Sequence, residues 1–579
     1  MRRFLVGCLS ILGVLFLLIG GGLGYLVWRG FSEFQEAKAP DLPSHLLLTL
    51  SISGEPPAAR SDNPFRTLTG EGLTLREMVG RIDGAAKDGR VQGLFVDLSN
   101  ARLSPAAAQE LAQAVQRFKA KRKPTYAFAD TLGETGGATF TYALAAQFDR
   151  VWLQPAGALG IDGLALERPY LAEALKSVGI APRLDQRHEF KGGIDMFTEE
   201  GLSPALRGSL QKLTDDMLKQ AVEMIAKGRN LAPDDVTAAI DTAPIAAQDA
   251  VTQGLIDQMG YRSDALRALK DASRTPATVA LADYRVPDTL PNAALHVAVI
   301  EAAGPVVRGG GDSDNPLASD EGSFAAGRVV AAFTAAVNDP TVKGIIFRID
   351  SPGGSYVASD TIWQAVRAAQ DAGKPVVAVM GTYAASGGYF VAAPADKIVA
   401  QPGTLTGSIG VYSGKFVLSG LWEKLGIRWD RVASGASAGQ ISPNRDFTPA
   451  EWARFQENLD RIYADFTQRV AAGRKIPMDK MDAIARGRIW SGASAKDAGL
   501  VDRLGGMVEA TDEMRQLLRQ PPDTQLRLID YPAPEDGFTK ARKLLSKIES
   551  TAIQIDGVRA KLEPLIKGES LYLPVDVTP

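Results

Sequence analysis

Two long segments of the sequence, residues 42–257 and 290–502, align with each other over their whole length. Matching positions include 91–95 with 342–346, 123–124 with 374–375, and 254–257 with 499–502. The repeats of solenoid proteins are roughly 20–50 residues long, so repeats of this size indicate duplication of a whole domain. The sequence therefore predicts two similarly folded domains in tandem.

Short apolar strands alternate with segments of helical spacing in each copy. Strands are predicted at 46–52, 93–98, 294–300, 344–349 and 375–380, and helices at 105–119, 204–227, 359–371 and 449–472. This alternation is typical of the α/β class with a mainly parallel sheet. We expect an N-terminal repeat at 42–275, a proline-containing linker at 276–291, a C-terminal repeat at 292–510 and a C-terminal extension at 511–579. Within the extension, 520–537 contains four prolines and is predicted to be a loop.

An uncharged apolar segment at residues 4–28 precedes the first copy. About 20 such residues span a bilayer, whereas the apolar part of a cleavable signal is about 7–15 residues long. Arg2 and Arg3 precede the segment, so the positive-inside rule predicts a cytoplasmic N-terminus and domains on the far, periplasmic side. A signal peptide cleaved after residues 37–39 is the alternative, but that site lies too far beyond the apolar segment. We expect an uncleaved single-pass anchor in the inner membrane.

Composition excludes several classes of function. A net charge of −3 and a pI near 5.9 provide no basic surface for nucleic acid. His45, His188 and His296 are far apart in the sequence, and the single cysteine, Cys8, lies in the apolar segment. A structural zinc site or a disulfide framework is therefore not expected, and we predict neither a metal nor a cofactor.

Two glycine-rich turns in the second copy each follow a predicted strand. The first is Asp-Ser-Pro-Gly-Gly at 350–354, and the second is Ala-Ser-Gly-Gly at 385–388. A serine at such a turn has an exposed hydroxyl, room for a carbonyl to approach and N–H groups nearby. We therefore predict Ser386 as a nucleophile, with the N–H groups of Gly354 and Gly387 forming an oxyanion hole.

A serine nucleophile needs a base, and the first copy provides a candidate in Lys191. The pKa of a free lysine is about 10.4 and must fall by about 3, equivalent to about 4 kcal/mol, for the amine to act as a base near pH 7. Burial or a neighbouring cation is required for this change, and the apolar residues flanking Lys191 (Phe190, Ile194, Met196 and Phe197) are expected to bury it.

The two copies have kept complementary residues. Thr135 of the first copy aligns with Ser386, and the second copy has Ala436 in the position of Lys191. Each copy thus retains one member of a Ser–Lys pair. The alignment predicts one complete site, in which the Lys191 loop of the first copy reaches the Ser386 turn of the second. Whether the two residues meet within one chain or between chains stays open.

At these residues the chain resembles the bacterial signal peptide peptidase A (protease IV) family in its long, duplicated form. The resemblance covers residues 1 to about 510. It implies a Clp-protease/crotonase-like fold, with Ser386 as nucleophile, Lys191 as general base, and Gly354 and Gly387 as oxyanion donors. It also implies a membrane-bound homotetramer that cleaves remnant signal peptides through an acyl-enzyme.

Three other hypotheses remain open. His188 lies three residues before Lys191, and the unperturbed pKa of a histidine is closer to neutral pH than that of a lysine, which suits a base. A crotonase-like acyl-CoA enzyme would also use two N–H donors, although an outward-facing domain would not meet cytoplasmic CoA. A non-catalytic membrane scaffold would agree with Thr135 in the first copy, but not with the retained pair of Ser386 and Lys191.

Overall fold

The protein is described by a computed structural model that covers residues 42–60, 72–134, 136–288, 291, 294–309 and 324–533. The predicted anchor at 4–28, Cys8, Thr135 and the end of the C-terminal extension lie outside these residues. Within the described ranges, no helix combines the length and apolar character needed to cross a bilayer.

The first copy is an α/β domain. Its strands are β1 (Leu46–Gly54), β2 (Val91–Ala101), β3 (Thr125–Ala129), β4 (Arg150–Leu153), β5 (Ala158–Leu159), β6 (Ala181–Gln186), β7 (Ile245–Ala246), β8 (Gln258–Met259) and β9 (Thr278–Ala280). Its helices are α1 (Leu75–Lys87), α2 (Pro105–Lys119), α3 (Thr139–Ala145), α4 (Ala172–Val178), α5 (Asp195–Thr198), α6 (Pro204–Arg229), α7 (Pro233–Asp241), α8 (Ala247–Thr252) and α9 (Arg262–Ser273).

The second copy repeats this arrangement. Its strands are β10 (Leu295–Ala303), β11 (Val306–Val307), β12 (Phe324–Ala325), β13 (Val342–Ser351), β14 (Val376–Ala385), β15 (Lys397–Ala400), β16 (Leu405–Gly407), β17 (Tyr412–Val417), β18 (Ile489–Ser491), β19 (Arg503–Leu504) and β20 (Leu526–Tyr531). Its helices are α10 (Ala326–Asn338), α11 (Tyr356–Asp371), α12 (Gly387–Ala392), α13 (Ser419–Lys424), α14 (Pro449–Arg474), α15 (Met478–Ile484), α16 (Gly492–Asp497) and α17 (Met507–Leu517).

The two main sheets have the same strand order. The first runs β8-β4-β3-β2-β1-β9, and the second contains β19-β15-β14-β13-β10-β20, with β16 and β18 continuing from β14. The pairings along both six-strand orders are parallel. Most of the helices cover one face of each sheet, while α9 and α17 cover the other. Because parallel strands are buried on both faces, they are rich in Val, Ile, Leu and Phe, as the sequence predicted.

Side-chain contacts also repeat at aligned positions. Lys123 donates to two carbonyls at the end of α1, and Lys374 donates in the same way at the end of α10. The hydroxyl of Tyr142 donates to the carbonyl of Leu255, while that of Tyr389 donates to the carbonyl of Leu500. The duplication therefore extends to individual buried hydrogen bonds.

Two strands lie outside the segments predicted as repeats. β9 belongs to the predicted linker and pairs with β1, while β20 belongs to the predicted C-terminal extension and pairs with β10. The prediction of a loop throughout 520–537 is wrong, because Leu526–Tyr531 forms an edge strand between its prolines. Prolines at 521, 522 and 532 flank this strand without interrupting its hydrogen bonds to β10.

The two copies pack against each other through a sheet and a buried ion pair. β6 of the first copy pairs antiparallel with β17 of the second. Arg348 on β13 donates to both carboxylate oxygens of Glu110 on α2, at 3.0 and 2.9 Å. Only 2% of Arg348 and 3% of Glu110 is exposed, so neither charge can be hydrated if its partner is lost.

We expect Arg348→Ala to lower the free energy of unfolding by about 3–5 kcal/mol, because Glu110 would remain buried without a counter-ion. Replacing both residues with apolar ones (Arg348→Met with Glu110→Leu) should restore most of the loss. Arg367→Ala is the control, since its pair with Asp371 is exposed and should be worth less than about 1 kcal/mol. Urea denaturation monitored by tryptophan fluorescence measures all three. Equal losses in the single and double variants would contradict this account.

Candidate active site

Ser386 lies at the sharp turn between β14 and α12. Its backbone has φ 54° and ψ −119°, a conformation that non-glycine residues rarely adopt and that costs free energy. Two hydrogen bonds hold the turn: the Ser386 N–H donates to Gly407, and the Ser386 carbonyl accepts from Phe390. The strained turn projects the hydroxyl away from the strand and toward the first copy.

The side chain of Lys191 crosses from the first copy into the second. Its Nζ lies 3.0 Å from Ser386 Oγ, which is hydrogen-bonding distance. The same Nζ lies 2.7 Å from the carbonyl oxygen and 3.0 Å from the hydroxyl oxygen of Ser408. The structure thus brings together, within one chain, the two residues that the sequence predicted to meet.

Burial lowers the pKa of Lys191 to about 7. The residue is 8% exposed, and among the described residues no carboxylate forms an ion pair with its amine. A carboxylate partner would favour the charged form and hold the pKa high, whereas Ser408 offers only neutral acceptors. About half of the Lys191 side chains are therefore uncharged near pH 7.

Two glycines allow the second copy to enclose the lysine. A Cβ on Gly487 would lie 2.3 Å from the Lys191 backbone nitrogen, and a Cβ on Gly410 would lie 3.0 Å from Lys191 Cδ. The N–H of Gly487 donates to Ile409, so the two segments that carry these glycines are joined to each other. Any side chain at position 487 would push the lysine out of its site.

The predicted oxyanion donors lie beside Ser386. A Cβ on Gly353 would lie 2.7 Å from Ser386 Cβ and 2.9 Å from the Gly387 nitrogen, and a Cβ on Gly387 would lie 3.1 Å from the Gly354 nitrogen. The N–H groups of Gly354 and Gly387 therefore border the same small space next to the Ser386 hydroxyl. In the described part of the chain, neither N–H donates to a protein acceptor. Both remain available to a bound oxygen atom.

His188 takes no direct part in this arrangement. Its backbone has φ 70°, and its ring packs against Tyr463 at a centroid distance of 4.6 Å. Among the described residues, the side-chain partner of the Ser386 hydroxyl is Lys191 and not His188.

Sequence reasoning missed Ser408, Gly410 and Gly487, which hold and enclose the lysine. One signal was present for Ser408: it directly follows Gly407, where the first copy has an apolar residue, Ile161, after its aligned glycine. A polar residue present only in the copy that carries Ser386 is the signal by which Ser408 could have been predicted.

The aligned turn of the first copy has a different environment. The N–H of Gly137 donates to the carboxylate of Asp162 at 2.8 Å, and a Cβ on Gly136 would lie 2.5 Å from that carboxylate. A side chain of the protein itself therefore occupies the space beside this turn. Thr135, which aligns with Ser386, lies outside the described residues.

Comparison with known proteins agrees with this geometry. The family model described as peptidase family S49 matches residues 117–275 and 368–520, one match in each copy. The chloroplastic serine protease SPPA of Arabidopsis thaliana is 26% identical over 541 residues, which cover 92% of this chain and 77% of the relative. Protease 4 of Haemophilus influenzae is 28% identical over 477 residues, covering 79% of this chain and 75% of the relative.

A third relative matches a shorter part of the chain. The putative signal peptide peptidase SppA of Enterococcus faecium is 34% identical over 203 residues, which cover 35% of this chain and 58% of the relative. An α/β core in two copies, a serine at a strained turn and a family model that matches both copies define a peptidase. The chain belongs to peptidase family S49 and is a serine peptidase.

We expect Gly487→Ala to lower the rate of peptide hydrolysis by about 100-fold, because the new methyl group would displace the backbone of Lys191. Gly373→Ala is the matched control: it has a similar positive φ, but its Cβ would meet no atom within 4 Å. Each variant should lose about 1 kcal/mol of stability from backbone strain, and Gly487→Ala should lose more because of its clash with Lys191. Rates and melting temperatures measured side by side test this, and equal rates in the two variants would refute it.

Proposed function

We propose that the protein is a membrane-anchored serine endopeptidase in which Ser386 is the nucleophile and Lys191 the general base. The observation that carries this proposal is the 3.0 Å distance between Lys191 Nζ and Ser386 Oγ in a site that keeps the amine partly uncharged. A general base must lie within hydrogen-bond reach of the proton it takes and have a pKa near the working pH. Lys191 meets both conditions.

The reaction begins with proton transfer. Uncharged Lys191 accepts the hydroxyl proton of Ser386 as Oγ attacks the carbonyl carbon of the peptide bond. The negative charge that develops on the carbonyl oxygen is stabilised by the N–H groups of Gly354 and Gly387. The Lys191 ammonium, held by the two oxygens of Ser408, then protonates the departing amine. An acyl-enzyme on Ser386 remains.

Deacylation uses the same residues again. Lys191 is uncharged after the amine has left, so it can take a proton from a water molecule that attacks the acyl carbonyl. The tetrahedral intermediate forms once more beside Gly354 and Gly387. Its collapse returns the proton to Ser386 Oγ and releases the peptide acid.

Remnant signal peptides are the proposed substrates. Support comes from the family resemblance and from the Enterococcus faecium relative, which is named a putative signal peptide peptidase. Two half-exposed aromatic side chains, Tyr383 and Tyr412, lie near the site: Tyr383 is three residues before Ser386, and Tyr412 packs over Gly193 in the Lys191 loop. Such surfaces suit the apolar side chains of signal peptides. The Clp-protease/crotonase-like fold class is proposed on the same resemblance.

The anchor and its orientation are part of the proposal. The uncharged segment 4–28, preceded by Arg2 and Arg3, supports a single span in the inner membrane with the catalytic domains in the periplasm. An acyl-CoA activity has no comparable support, since the family matched in both copies is a peptidase family.

Head-to-tail assembly into a homotetramer is also proposed, and the duplication supports it. Inside the chain, β6 of the first copy pairs with β17 of the second. The aligned segments, 428–433 in the second copy and 165–170 in the first, have no strand partner among the described residues. Trp429 is 60% exposed and Val432 fully exposed in one segment, and Leu166 is 49% exposed in the other. Pairing of these segments between neighbouring chains would repeat the internal contact and form a ring.

Ser386→Ala and Lys191→Ala should each reduce peptide hydrolysis to near background without loss of fold. The control is Lys219→Ala, which removes an exposed lysine that pairs with Glu223 on α6. In the wild type, kcat/KM should fall as the pH drops below about 7, because protonated Lys191 cannot accept the serine proton. Initial rates on an apolar peptide between pH 5 and 9 measure this. Near-normal activity of the Lys191→Ala variant would contradict the Ser–Lys mechanism.

Trp429→Glu combined with Val432→Glu should convert the assembly into single chains, because two charges would be buried in the interface. Met478→Glu is the control, since Met478 is similarly exposed outside the two segments. Light scattering of the detergent-solubilised protein gives the mass. An unchanged mass in the double variant would exclude this interface.

A further inference from the structure

An irregularity in the central sheet lies just before the nucleophile. β13 and β14 pair in register up to Ile349 and Met380, but the next pair is Ser351 with Ala384. β14 therefore contains two more residues than β13 at this point. The extra residues form a bulge that sets the direction in which the chain enters the Ser386 turn.

The carboxylate of Asp350 holds this bulge. Its Oδ2 accepts the N–H of Thr382 at 2.8 Å, and its Oδ1 accepts the N–H of Tyr383 at 3.3 Å. A Cβ on Gly381 would lie 2.3 Å from Asp350 Oδ2, so the carboxylate fits only against a glycine. One side chain thus satisfies two backbone groups that the bulge removes from the regular sheet.

The first copy lacks this arrangement at the aligned positions. Ser99 stands in place of Asp350, and Asp130 stands in place of Gly381. There the hydroxyl of Ser99 accepts the N–H of Asp130 at 3.0 Å. At these aligned positions, a partly buried carboxylate that accepts two backbone N–H groups is therefore found only in the copy that carries Ser386.

The environment of Asp350 makes its charge costly. Burial raises the pKa of Asp350 to about 6, while the two backbone N–H groups and the charge of Arg348 act in the opposite direction. Glu55 of the first copy adds to the increase. The ionisable groups that face Asp350 are thus Arg348 on its own strand, Glu55 across the domain interface and Tyr383 on β14. A costly charge kept in only one copy indicates a function other than stability.

The first copy also contacts the bulge. Thr382 Oγ1 lies 3.0 Å from the hydroxyl of Ser104, the residue that caps α2. Ser104 in turn donates to Glu55 through its backbone N–H and its hydroxyl. The bulge is therefore fixed from both sides, by Asp350 within its own sheet and by Ser104 from the copy that supplies Lys191.

We infer that Asp350 is a positioning residue for the proposed reaction: its carboxylate holds the 381–383 bulge and thereby directs the Ser386 hydroxyl toward Lys191. This inference rests on the proposed function. Asp350 touches neither the substrate nor the reacting atoms, so its contribution is to the geometry of the attack. A small displacement of a nucleophile is enough to lower a rate by about 100-fold.

Asp350→Asn tests this inference with little change in side-chain size. The amide has one oxygen and would turn an NH₂ group toward one of the two N–H donors. The backbone N–H groups of Thr382 and Tyr383 could then no longer both find an acceptor in this side chain. We expect kcat to fall by about 100-fold and KM to change by less than about twofold. Ser99→Ala, the aligned change in the first copy, should leave both constants unchanged. A wild-type kcat in the Asp350 variant would overturn the inference.

The pH profile separates positioning from a purely structural role. In the wild type, log(kcat/KM) should fall with a slope of about one below pH 7, where Lys191 becomes protonated, and more steeply below pH 6, where Asp350 also loses its charge. The Asp350→Asn profile should keep the slope of about one throughout, measured where near-ultraviolet circular dichroism is constant. A steepening that persists in the variant would refute the role of Asp350.

A second variant and a reference measurement complete the experiment. Gly381→Ala should produce a loss of kcat similar to that of Asp350→Asn, and combining the two should not multiply the losses, because both act on one bulge. If the two losses of kcat multiply in the double variant, the two residues act independently and the inference is contradicted. Failure of the proposed function itself would be recognised separately, since Ser386→Ala would then retain activity.

Discussion

Removal of one lysine amine from water is the constraint on which the site depends. Moving the pKa of Lys191 from 10.5 to about 7 corresponds to roughly 5 kcal/mol of disfavoured charge, and this free energy must come from the packing of the two copies. The antiparallel pairing of β6 with β17 and the buried pair of Arg348 with Glu110 are two of the contacts that keep the copies together. In the proposed mechanism, the two copies must therefore dock before Lys191 can act as a base.

Strained backbone conformations recur around this contact. Of the nine non-glycine residues with positive φ among the described residues, four lie in the segments that carry or surround Lys191 and Ser386: His188, Ser386, Ser408 and Arg486. Such conformations persist only where neighbouring structure enforces them. Here that structure includes close backbone contacts at Gly353 and Gly487, where even a methyl group would not fit. The segments that form the site are therefore packed so closely that little space remains for other side-chain positions.

Much of this arrangement could be predicted from the sequence because the two copies can be aligned with each other. Alignment of the two copies indicated that Lys191 and Ser386 belong together, and the strand and helix pattern gave the α/β class. The glycine-rich turns indicated where the N–H donors lie. Local patterns were sufficient wherever the signal was an alternation of apolar residues or a glycine that a turn requires.

Other features depend on contacts that no local pattern records. Ser408 meets Lys191 across 217 positions of sequence, and Glu110 meets Arg348 across 238. The edge strand β20 was not predicted, because prolines flank it in the sequence. Its hydrogen bonds are made to β10, which lies more than 200 residues earlier in the chain. The Asp350 bulge depends on a change of register between two strands, which single-sequence patterns do not reveal.

The pairing of β6 with β17 also has a consequence during synthesis. The lysine emerges from the ribosome about two hundred residues before the serine that it serves. Until β17 has been made and has docked, the amine is exposed to water, where a lysine is positively charged near pH 7 and cannot accept a proton. If the proposed mechanism holds, the order of synthesis alone delays assembly of the site until both copies have been made.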